Sequence, residues 1–293
     1  MAESTQGRSR YLTTRDGRLL HAAQLDGPPG SPFVVFEAGA GGSRSGWATV
    51  QPAVAGFATA VAYDRSGLGR SAPDTGGRSF GRMAHDLNDL LDGLAGEDQA
   101  RGFVLVGHSL GGPIVRLAAA RRPERILGLV LVDPSDEEIG EMLRPMFPYA
   151  DTAMFAVLRV LAWIGVTRLL TSRMAGDLPA DVKEDLIREA TEPTAIDTMQ
   201  EELATFRGEL PAWQDAGPDL GDIPITVISG VKTDRAPKIR AASTAAHARR
   251  AAASPHGRHV LAENSGHNVP LTDPNLIVEE IRRLVAGPGA DAS

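Results

Sequence analysis

Short apolar runs alternate along the chain with longer stretches of helical spacing. The runs are rich in Val, Leu and Ile, which is typical of parallel strands buried on both faces of a sheet. The predicted strands are 33–39, 58–64, 102–108, 127–133, 224–230 and 259–265. The predicted helices are at about 79–95, 111–122, 238–253 and 274–286. The pattern therefore predicts an α/β fold with a mostly parallel central sheet flanked by helices.

Both ends of the chain depart from this alternation. Near the N-terminus, the runs 10–14 and 18–25 lie on either side of Asp16-Gly17, which predicts an antiparallel hairpin at the sheet edge. At the other end, residues 288–293 are small or polar and are expected to be disordered.

A long segment in the middle, 135–215, contains no strand candidate, although it holds five of the seven Met residues and six of the fourteen aromatic residues. We interpret it as an inserted helical lid that divides the core into 1–134 and 216–287. Its most apolar part, 154–170, either packs on its own domain or lines a pocket, and both are compatible with the pattern. The lid residues expected to bind substrate are Met142, Met146, Phe147, Met154, Phe155 and Trp163.

Composition narrows the function classes. The formal net charge of −7 is spread along the chain without a block of like charges, which argues against a nucleic-acid partner. The absence of Cys excludes disulfides, thiolate nucleophiles and cysteine-bound metals. No apolar run is typical of a signal peptide or a membrane span. We expect a cytoplasmic protein, either a monomer or a homodimer.

A GxSxG pattern, which marks a serine at a sharp turn from strand to helix, occurs twice, at 77–81 and 107–111. Ser109 follows the predicted strand 102–108 and precedes a predicted helix, so it is the candidate nucleophile. The backbone N–H of Leu110 would then point toward a developing oxyanion at the helix N-terminus. Ser79 follows a Gly- and Pro-containing loop and is interpreted as a helix N-cap.

A serine hydroxyl needs an imidazole base at neutral pH. Of the seven histidines, His267 lies on a loop after the last predicted strand, where ligands bind in parallel sheets. His108 adjoins Ser109 and is expected to pack under the turn. His256 and His259 have the spacing of a metal-binding pair but lack a third ligand nearby, so no metal is expected.

The carboxylate that would orient His267 has two candidates. Asp234 follows the penultimate strand and preserves the chain order serine, acid, histidine, so it is preferred. Asp133 follows the preceding strand and is interpreted as a structural turn residue because Pro134 comes next. The sequence alone leaves both carboxylates as candidates for the acid.

Several segments resemble, in order, motifs of the α/β-hydrolase superfamily. They are EAGAGGSRSGW, YDRSGLGRS, VGHSLGGP, ISGVKTDRAP and NSGHNVPLTDP. The resemblance implies that the backbone N–H of Ala40 is the second oxyanion donor, although Ala38 replaces the usual histidine. It also implies that Asp64 and two glycines shape a bend near the site. GLGRSA fits a dinucleotide-binding pattern as well, but Pro73 follows where the phosphate-binding helix should begin, so no cofactor is expected.

These residues imply a serine hydrolase that cleaves a small, mostly apolar acyl substrate through an acyl-enzyme on Ser109. The bond could be that of a carboxylic ester, a lactone, a thioester or an amide, because one fold supports many reactions. A ligand sensor of the same fold, with slow or no turnover, is the alternative.

Overall fold

A computed structural model describes residues 4–96, 102–139, 150–176, 178–233 and 237–287. Eight strands form one sheet in the order β1-β2-β4-β3-β5-β6-β7-β8. The strands are β1 Arg8–Thr13, β2 Leu19–Leu25, β3 Phe33–Glu37, β4 Thr59–Tyr63, β5 Phe103–His108, β6 Ile126–Val132, β7 Ile225–Gly230 and β8 Gly257–Ala262. Strands β3 to β8 run parallel, whereas β1 and β2 are antiparallel at one edge.

Helices cover both faces of the sheet and fill the segment between β6 and β7. The helices are α1 Gln51–Ala55, α2 Phe80–Ala95, α3 Gly111–Arg121, α4 Ala150–Trp163, α5 Val166–Met174, α6 Ala180–Thr191, α7 Pro193–Glu209, α8 Trp213–Ala216, α9 Pro237–Ala252, α10 Val269–Thr272 and α11 Pro274–Ala286. Short 3-10 turns occupy Arg44–Trp47, Pro123–Arg125 and Leu210–Ala212.

The central strands are buried on both faces, which explains their continuous apolar sequences. In β5, Leu105 packs on the side of α2 and α3, whereas Val104 and Val106 face the layer that contains α1 and α11. This alternation follows from the two-residue period of a strand. The sequence therefore specifies two hydrophobic layers with one sheet between them.

After β3, the chain adds β4 on one side of β3 and then β5 on the other side. The strand order therefore reverses direction between β3 and β5, which is a topological switch point. Ligands of open α/β sheets bind in the crevice outside the carboxyl ends of the strands at such a point. The turn after β3 and the turn after β5 both lie at this switch point. We therefore expect a functional site in the crevice between them.

The segment between β6 and β7 is helical wherever it has regular structure in the described residues. We call α4 to α7 the insertion helices. Within the described ranges, no single helix is long and apolar enough to cross a membrane. Helices α4 and α5 reach the required length and apolar composition only when taken together, and they meet at a bend of 85°.

The predicted mostly parallel sheet and the N-terminal hairpin are confirmed. The observed strands begin and end within about three residues of the predicted ones, because their apolar runs are bounded by Gly, Pro and polar turns. The predicted disordered tail, 288–293, lies outside the described residues.

Candidate active site

Ser109 lies on a sharp turn between β5 and α3. Its φ of 53° is in the left-handed region, which costs a non-glycine residue about 1–3 kcal/mol. Hydrogen bonds hold this conformation: the Ser109 N–H donates to Val132 O at 3.1 Å, and the Ser109 carbonyl accepts from the N–H groups of Gly112 and Ser135 at 3.0 and 2.9 Å. The end of β6 thus helps to hold the turn.

The glycines on either side of Ser109 are required by close backbone contacts. A Cβ on Gly107 would lie 2.6 Å from Gly111 O, and a Cβ on Gly111 would lie 2.6 Å from Glu37 O. Both distances are well inside van der Waals contact, so a side chain at either position would force the turn open. This explains the GxSxG spacing at 107–111 in physical terms.

The imidazole of His267 joins the serine to a carboxylate. Its Nε2 lies 3.1 Å from Ser109 Oγ, and its Nδ1 lies 2.6 Å from Asp133 Oδ2. The His267 side chain is 48% exposed, so a substrate could reach it from solvent. The predicted pairing of Ser109 with His267 is therefore present in the structure.

The carboxylate that His267 contacts is Asp133, the second of the two candidates from the sequence. His267 contacts Asp133 after β6, whereas the sequence favoured Asp234, which lies outside the described residues. Asp133 has a φ of 40°, and its N–H donates to Ile228 O at 2.7 Å. The turn that suggested a structural role for Asp133 is the feature that directs its side chain toward His267.

Asp133 is almost fully buried and has a complete set of hydrogen bonds. Its second oxygen, Oδ1, accepts from the N–H of Gly230 at 3.1 Å and from Arg240 at 2.6 Å. Burial raises the pKa of Asp133, but the hydrogen bond and charge of His267 and the charge of Arg240 outweigh it and bring the pKa below its ordinary value. Asp133 is therefore an anion at neutral pH.

Two backbone N–H groups that the sequence predicts to bind an oxyanion belong to the turn at Ser109 and to the turn after β3. Leu110 precedes α3 and is buried, and Ala40 lies in the Gly-rich turn after β3. No hydrogen bond from either amide to another described residue is found. Free amides at a helix N-terminus and in a tight turn are suitable donors for an anion.

His108 does more than pack beneath the turn. Its Nε2 lies 2.9 Å from the backbone carbonyl of His267, and its ring meets Trp47 edge-on at 6.4 Å between centroids. Burial and the neighbouring His267 lower the pKa of His108 to about 4. A neutral His108 thus supports the loop that carries the base.

A cavity of about 210 Å³ opens beside these groups. Its mostly apolar lining includes Ala40, Trp47, His108, Pro270 and Leu271. The cavity is small compared with the roughly 300–1,000 Å³ of sites for drug-sized ligands. A short acyl or alkoxy group matches this space.

Three of the six predicted lid residues, Met154, Phe155 and Trp163, lie in the part of the chain that the structure describes. Phe155 is buried within the insertion helices, whereas Met154 and Trp163 are exposed, Trp163 to 87%. Of the described residues, none of these three lines the cavity beside Ala40. Met142, Met146 and Phe147 lie outside the described residues.

The second GxSxG match has the structural role that the sequence indicated. Ser79 is the N-cap of α2, and its hydroxyl accepts a hydrogen bond from the N–H of Arg82 at 3.1 Å. Its φ of −60° is unstrained. The two matches therefore differ in backbone conformation as well as in partners.

The bend predicted around Asp64 is also present. The Asp64 carboxylate is fully buried and accepts from the N–H groups of Arg44 and Arg70 at 2.9 and 3.1 Å. Gly69 has a φ of 53°, and a Cβ there would lie 2.3 Å from the Asp64 carboxyl carbon. Asp64 thus ties the bend after β4 to the turn after β3.

Sequence reasoning missed two charged groups near the site. Arg65 is buried and contacts the carbonyls of Ala38 and Gly39, and Glu202 on α7 contacts Arg65 and Gly41. Arg65 could have been suspected, since it directly follows Asp64 in a recognised motif. Glu202 gave no signal, because its partners depend on how α7 packs on the core.

Chemically, the arrangement suits proton transfer coupled to nucleophilic attack. A hydroxyl, an imidazole and a buried carboxylate are hydrogen-bonded in series. The turn after β3 lies close to the serine, since a Cβ on Gly39 would lie 3.3 Å from Ser109 Cβ. The described residues contain no group of three or more His, Asp or Glu side chains suited to a metal ion.

Comparison with known proteins decides the family. The sequence model of the Alpha/beta hydrolase family matches residues 34–280. The chain belongs to the alpha/beta hydrolase family. Its sheet order and its helix arrangement agree with that assignment.

Relatives in this alpha/beta hydrolase family are similar over different lengths. The uncharacterized protein YqjL of Bacillus subtilis is 31% identical over 122 residues, which cover 42% of this chain and 47% of YqjL. The chain thus spans about half or less of the length of the first curated relatives that it matches. Those relatives support the family rather than one substrate.

Solved structures share the fold across different chemistries. A thermophilic esterase from Thermogutta terrifontis has a TM-score of 0.66 at 20% identity, covering 94% of this chain and 97% of that chain. The epoxide hydrolase CorEH has a TM-score of 0.68 at 20% identity, covering 95% and 98%. These structures show the fold of the chain, and its reaction must be argued from its own residues.

Proposed function

We propose that the chain is a serine hydrolase that cleaves a carboxylic ester, or a chemically similar lactone or thioester, of a small and mostly apolar substrate. The observation that carries the proposal is the hydrogen-bonded series Ser109, His267 and Asp133 at the carboxyl ends of the parallel strands. A serine at the turn is also the nucleophile that such a reaction needs.

In the first half of the reaction, Ser109 Oγ attacks the acyl carbon while its proton passes to His267 Nε2. The carbonyl oxygen becomes an anion and accepts from the N–H groups of Ala40 and Leu110. Asp133 holds Nδ1–H of His267 and stabilises the imidazolium. The tetrahedral intermediate then collapses, His267 protonates the departing alkoxide, and the acyl group remains on Ser109.

In the second half, water replaces the alcohol. His267 accepts a proton from water as its oxygen attacks the acyl carbon, and the same two amides hold the oxyanion. Collapse breaks the bond to Ser109 Oγ, which regains its proton from His267. The products are an alcohol and a carboxylic acid, and the enzyme returns unchanged.

The substrate proposal rests on the cavity beside the site. Its volume of about 210 Å³ and the side chains of Trp47, Pro270 and Leu271 favour a short apolar group. No Lys or Arg among the described residues lines it, so a carboxylate on the substrate would lose hydration without gaining a partner from them. Short neutral esters should therefore be better substrates than long or anionic ones.

The test is a panel of p-nitrophenyl esters from acetyl to decanoyl, combined with labelling by a fluorophosphonate. We expect labelling at Ser109 and a kcat/KM that is highest for acyl chains of two to about six carbons. Labelling of Ser109 without turnover of any ester would favour a ligand sensor. Absence of labelling would contradict the proposal itself.

A further inference from the structure

A buried carboxylate from the insertion helices reaches the turn after β3. Glu202, on α7, is fully buried. Its Oε2 accepts from the N–H of Gly41 at 2.8 Å, and its two oxygens accept from Nε and Nη2 of Arg65 at 2.8 and 2.9 Å. A side chain 161 residues away in sequence thus contacts Gly41, the residue that follows Ala40.

Arg65 contacts the two residues that precede Ala40. Its Nη2 donates to Gly39 O at 2.7 Å and its Nη1 donates to Ala38 O at 2.6 Å. The side chain is only 4% exposed and also pairs with Glu37. Burial opposes the charge of Arg65, but the carboxylates of Glu202 and Glu37 outweigh that effect and raise its pKa. The guanidinium is therefore a permanent donor to this turn.

Peptide geometry makes these contacts relevant to Ala40. The carbonyl of Gly39 and the N–H of Ala40 belong to one peptide group, which is planar and trans, so the two bonds point in opposite directions. Gly39 O is held by Arg65 and by the N–H of Gly42 at 3.0 Å. Fixing this oxygen fixes the direction in which the Ala40 N–H points.

We infer that Arg65 and Glu202 are positioning residues of the oxyanion hole, through which helix α7 sets the orientation of the Ala40 amide. The inference rests on the proposed function, because it assigns these residues to the oxyanion that forms during acyl transfer. Neither side chain contacts Ser109 or His267 directly among the described contacts. Their effect passes through the backbone of residues 38–41.

Glu202→Gln is the first test, because glutamine has nearly the same shape but lacks the charge and one acceptor. Loss of one oxyanion donor typically reduces kcat by about 10²–10³-fold. A donor that is misdirected rather than removed should cost less, so we expect kcat for p-nitrophenyl acetate to fall by about 10- to 100-fold. KM should stay within about threefold, since the amide acts mainly in the transition state.

A second readout separates positioning from general loss of structure. A trifluoromethyl ketone forms a tetrahedral adduct with the serine whose oxyanion needs the hole. The affinity of the Glu202→Gln protein for this inhibitor should fall by about the same factor as kcat.

Glu137→Gln is the matched control. Glu137 is buried and accepts two hydrogen bonds from buried Arg116 at 2.7 and 2.8 Å, but it has no described contact with residues 38–41. This variant should be destabilised to a similar degree, with kcat and inhibitor affinity within about twofold of the unmodified protein.

Arg65→Lys provides an independent variant that keeps the positive charge but lacks the planar fork. It should show the same loss of kcat and of inhibitor affinity. If Glu202→Gln fails to fold, Arg65→Lys alone tests whether these residues position the Ala40 amide. Combined, the two substitutions should cost little more than either one, because both act through the same amide.

The inference is overturned if Glu202→Gln, or Arg65→Lys in its place, lowers thermal stability while kcat and inhibitor affinity remain within twofold. It is also overturned if Glu137→Gln reduces kcat and inhibitor affinity as much as Glu202→Gln does. Failure of the unmodified protein to hydrolyse esters and to be labelled at Ser109 would instead overturn the proposed function.

Discussion

The strand ends and the insertion helices position their residues in different ways. Ser109 and Asp133 follow buried parallel strands, and both have strained backbones held by hydrogen bonds to neighbouring strands. In contrast, α4 and α5 expose Met154, Trp163 and Leu169, while α6 and α7 direct buried charged side chains into the core. The candidate catalytic groups thus lie at the strand ends, and the insertion contacts the neighbouring turns through a few ionic groups.

The largest effect on activity should appear at the nucleophile, at the end of β5. Ser109→Ala removes the atom that forms the acyl bond, so kcat should fall by about 10⁵- to 10⁶-fold. Ser79→Ala removes only a helix cap and should leave kcat within about twofold, at a cost of about 1 kcal/mol in unfolding free energy. Steady-state kinetics and urea unfolding provide both measurements, and equal losses of kcat would contradict the assignment of Ser109.

The next effect concerns the acid. Asp133→Asn keeps the shape of the side chain but no longer holds the His267 tautomer, so kcat should fall by about 10⁴-fold. Asp234→Asn is the control, and its kcat should stay within about tenfold of the unmodified protein. A larger loss of kcat in Asp234→Asn than in Asp133→Asn would show that Asp234 is the acid.

A smaller effect should appear in the pH dependence of stability. The pKa of His108 is about 4 in the folded chain, against an ordinary value of 6.5. The unfolded state binds more protons between these values, so the unfolding free energy should fall as pH falls from about 6.5 to about 4. The contribution of His108 to that fall is at most about 3 kcal/mol.

His108→Gln keeps a donor in the side chain but removes the titrating ring. The difference in unfolding free energy between pH 6.5 and pH 4.5, measured by urea titration, should shrink in this variant. The exposed His85 provides the control, because His85→Gln should reduce the difference much less. Equal reductions would mean that His108 titrates much as an exposed histidine does.

The smallest effects should separate the cavity from the exposed insertion surface. Leu271→Trp fills part of the cavity and should lower kcat/KM for a hexanoyl ester about tenfold more than for an acetyl ester. Trp163→Ala should change neither value by more than about threefold, since Trp163 is 87% exposed and lies outside the cavity lining. A larger change of kcat/KM in Trp163→Ala than in Leu271→Trp would indicate that the insertion helices bind the substrate, as the sequence predicted.

The strands could be predicted from the sequence because each apolar run is short, continuous and bounded by turn residues. Ser109 and His267 could be located because each follows such a strand. The acid could not be chosen in this way, because Asp133 and Asp234 both follow strands, and the direction of a side chain at a strained turn cannot be read from its neighbours.

The insertion was harder to interpret for a related reason. Its apolar composition indicated helices, but composition does not say which helix face meets the core. Arg65 and Glu202 are far apart in sequence, and their contact exists only because α7 packs over the turn after β3. Long-range ionic contacts of this kind leave no periodic pattern in the sequence.

The central claim is that catalysis proceeds through an acyl group on Ser109. It is tested most directly by mixing the protein with p-nitrophenyl acetate, quenching with acid during turnover and mapping the modified peptide by mass spectrometry. We expect an acetyl group on Ser109 that forms as fast as the first turnover, disappears when the substrate is exhausted and is absent from Ser109→Ala. Ester turnover with the acetyl group on another residue, or with no acetylated intermediate while Ser109→Ala retains activity, would contradict it.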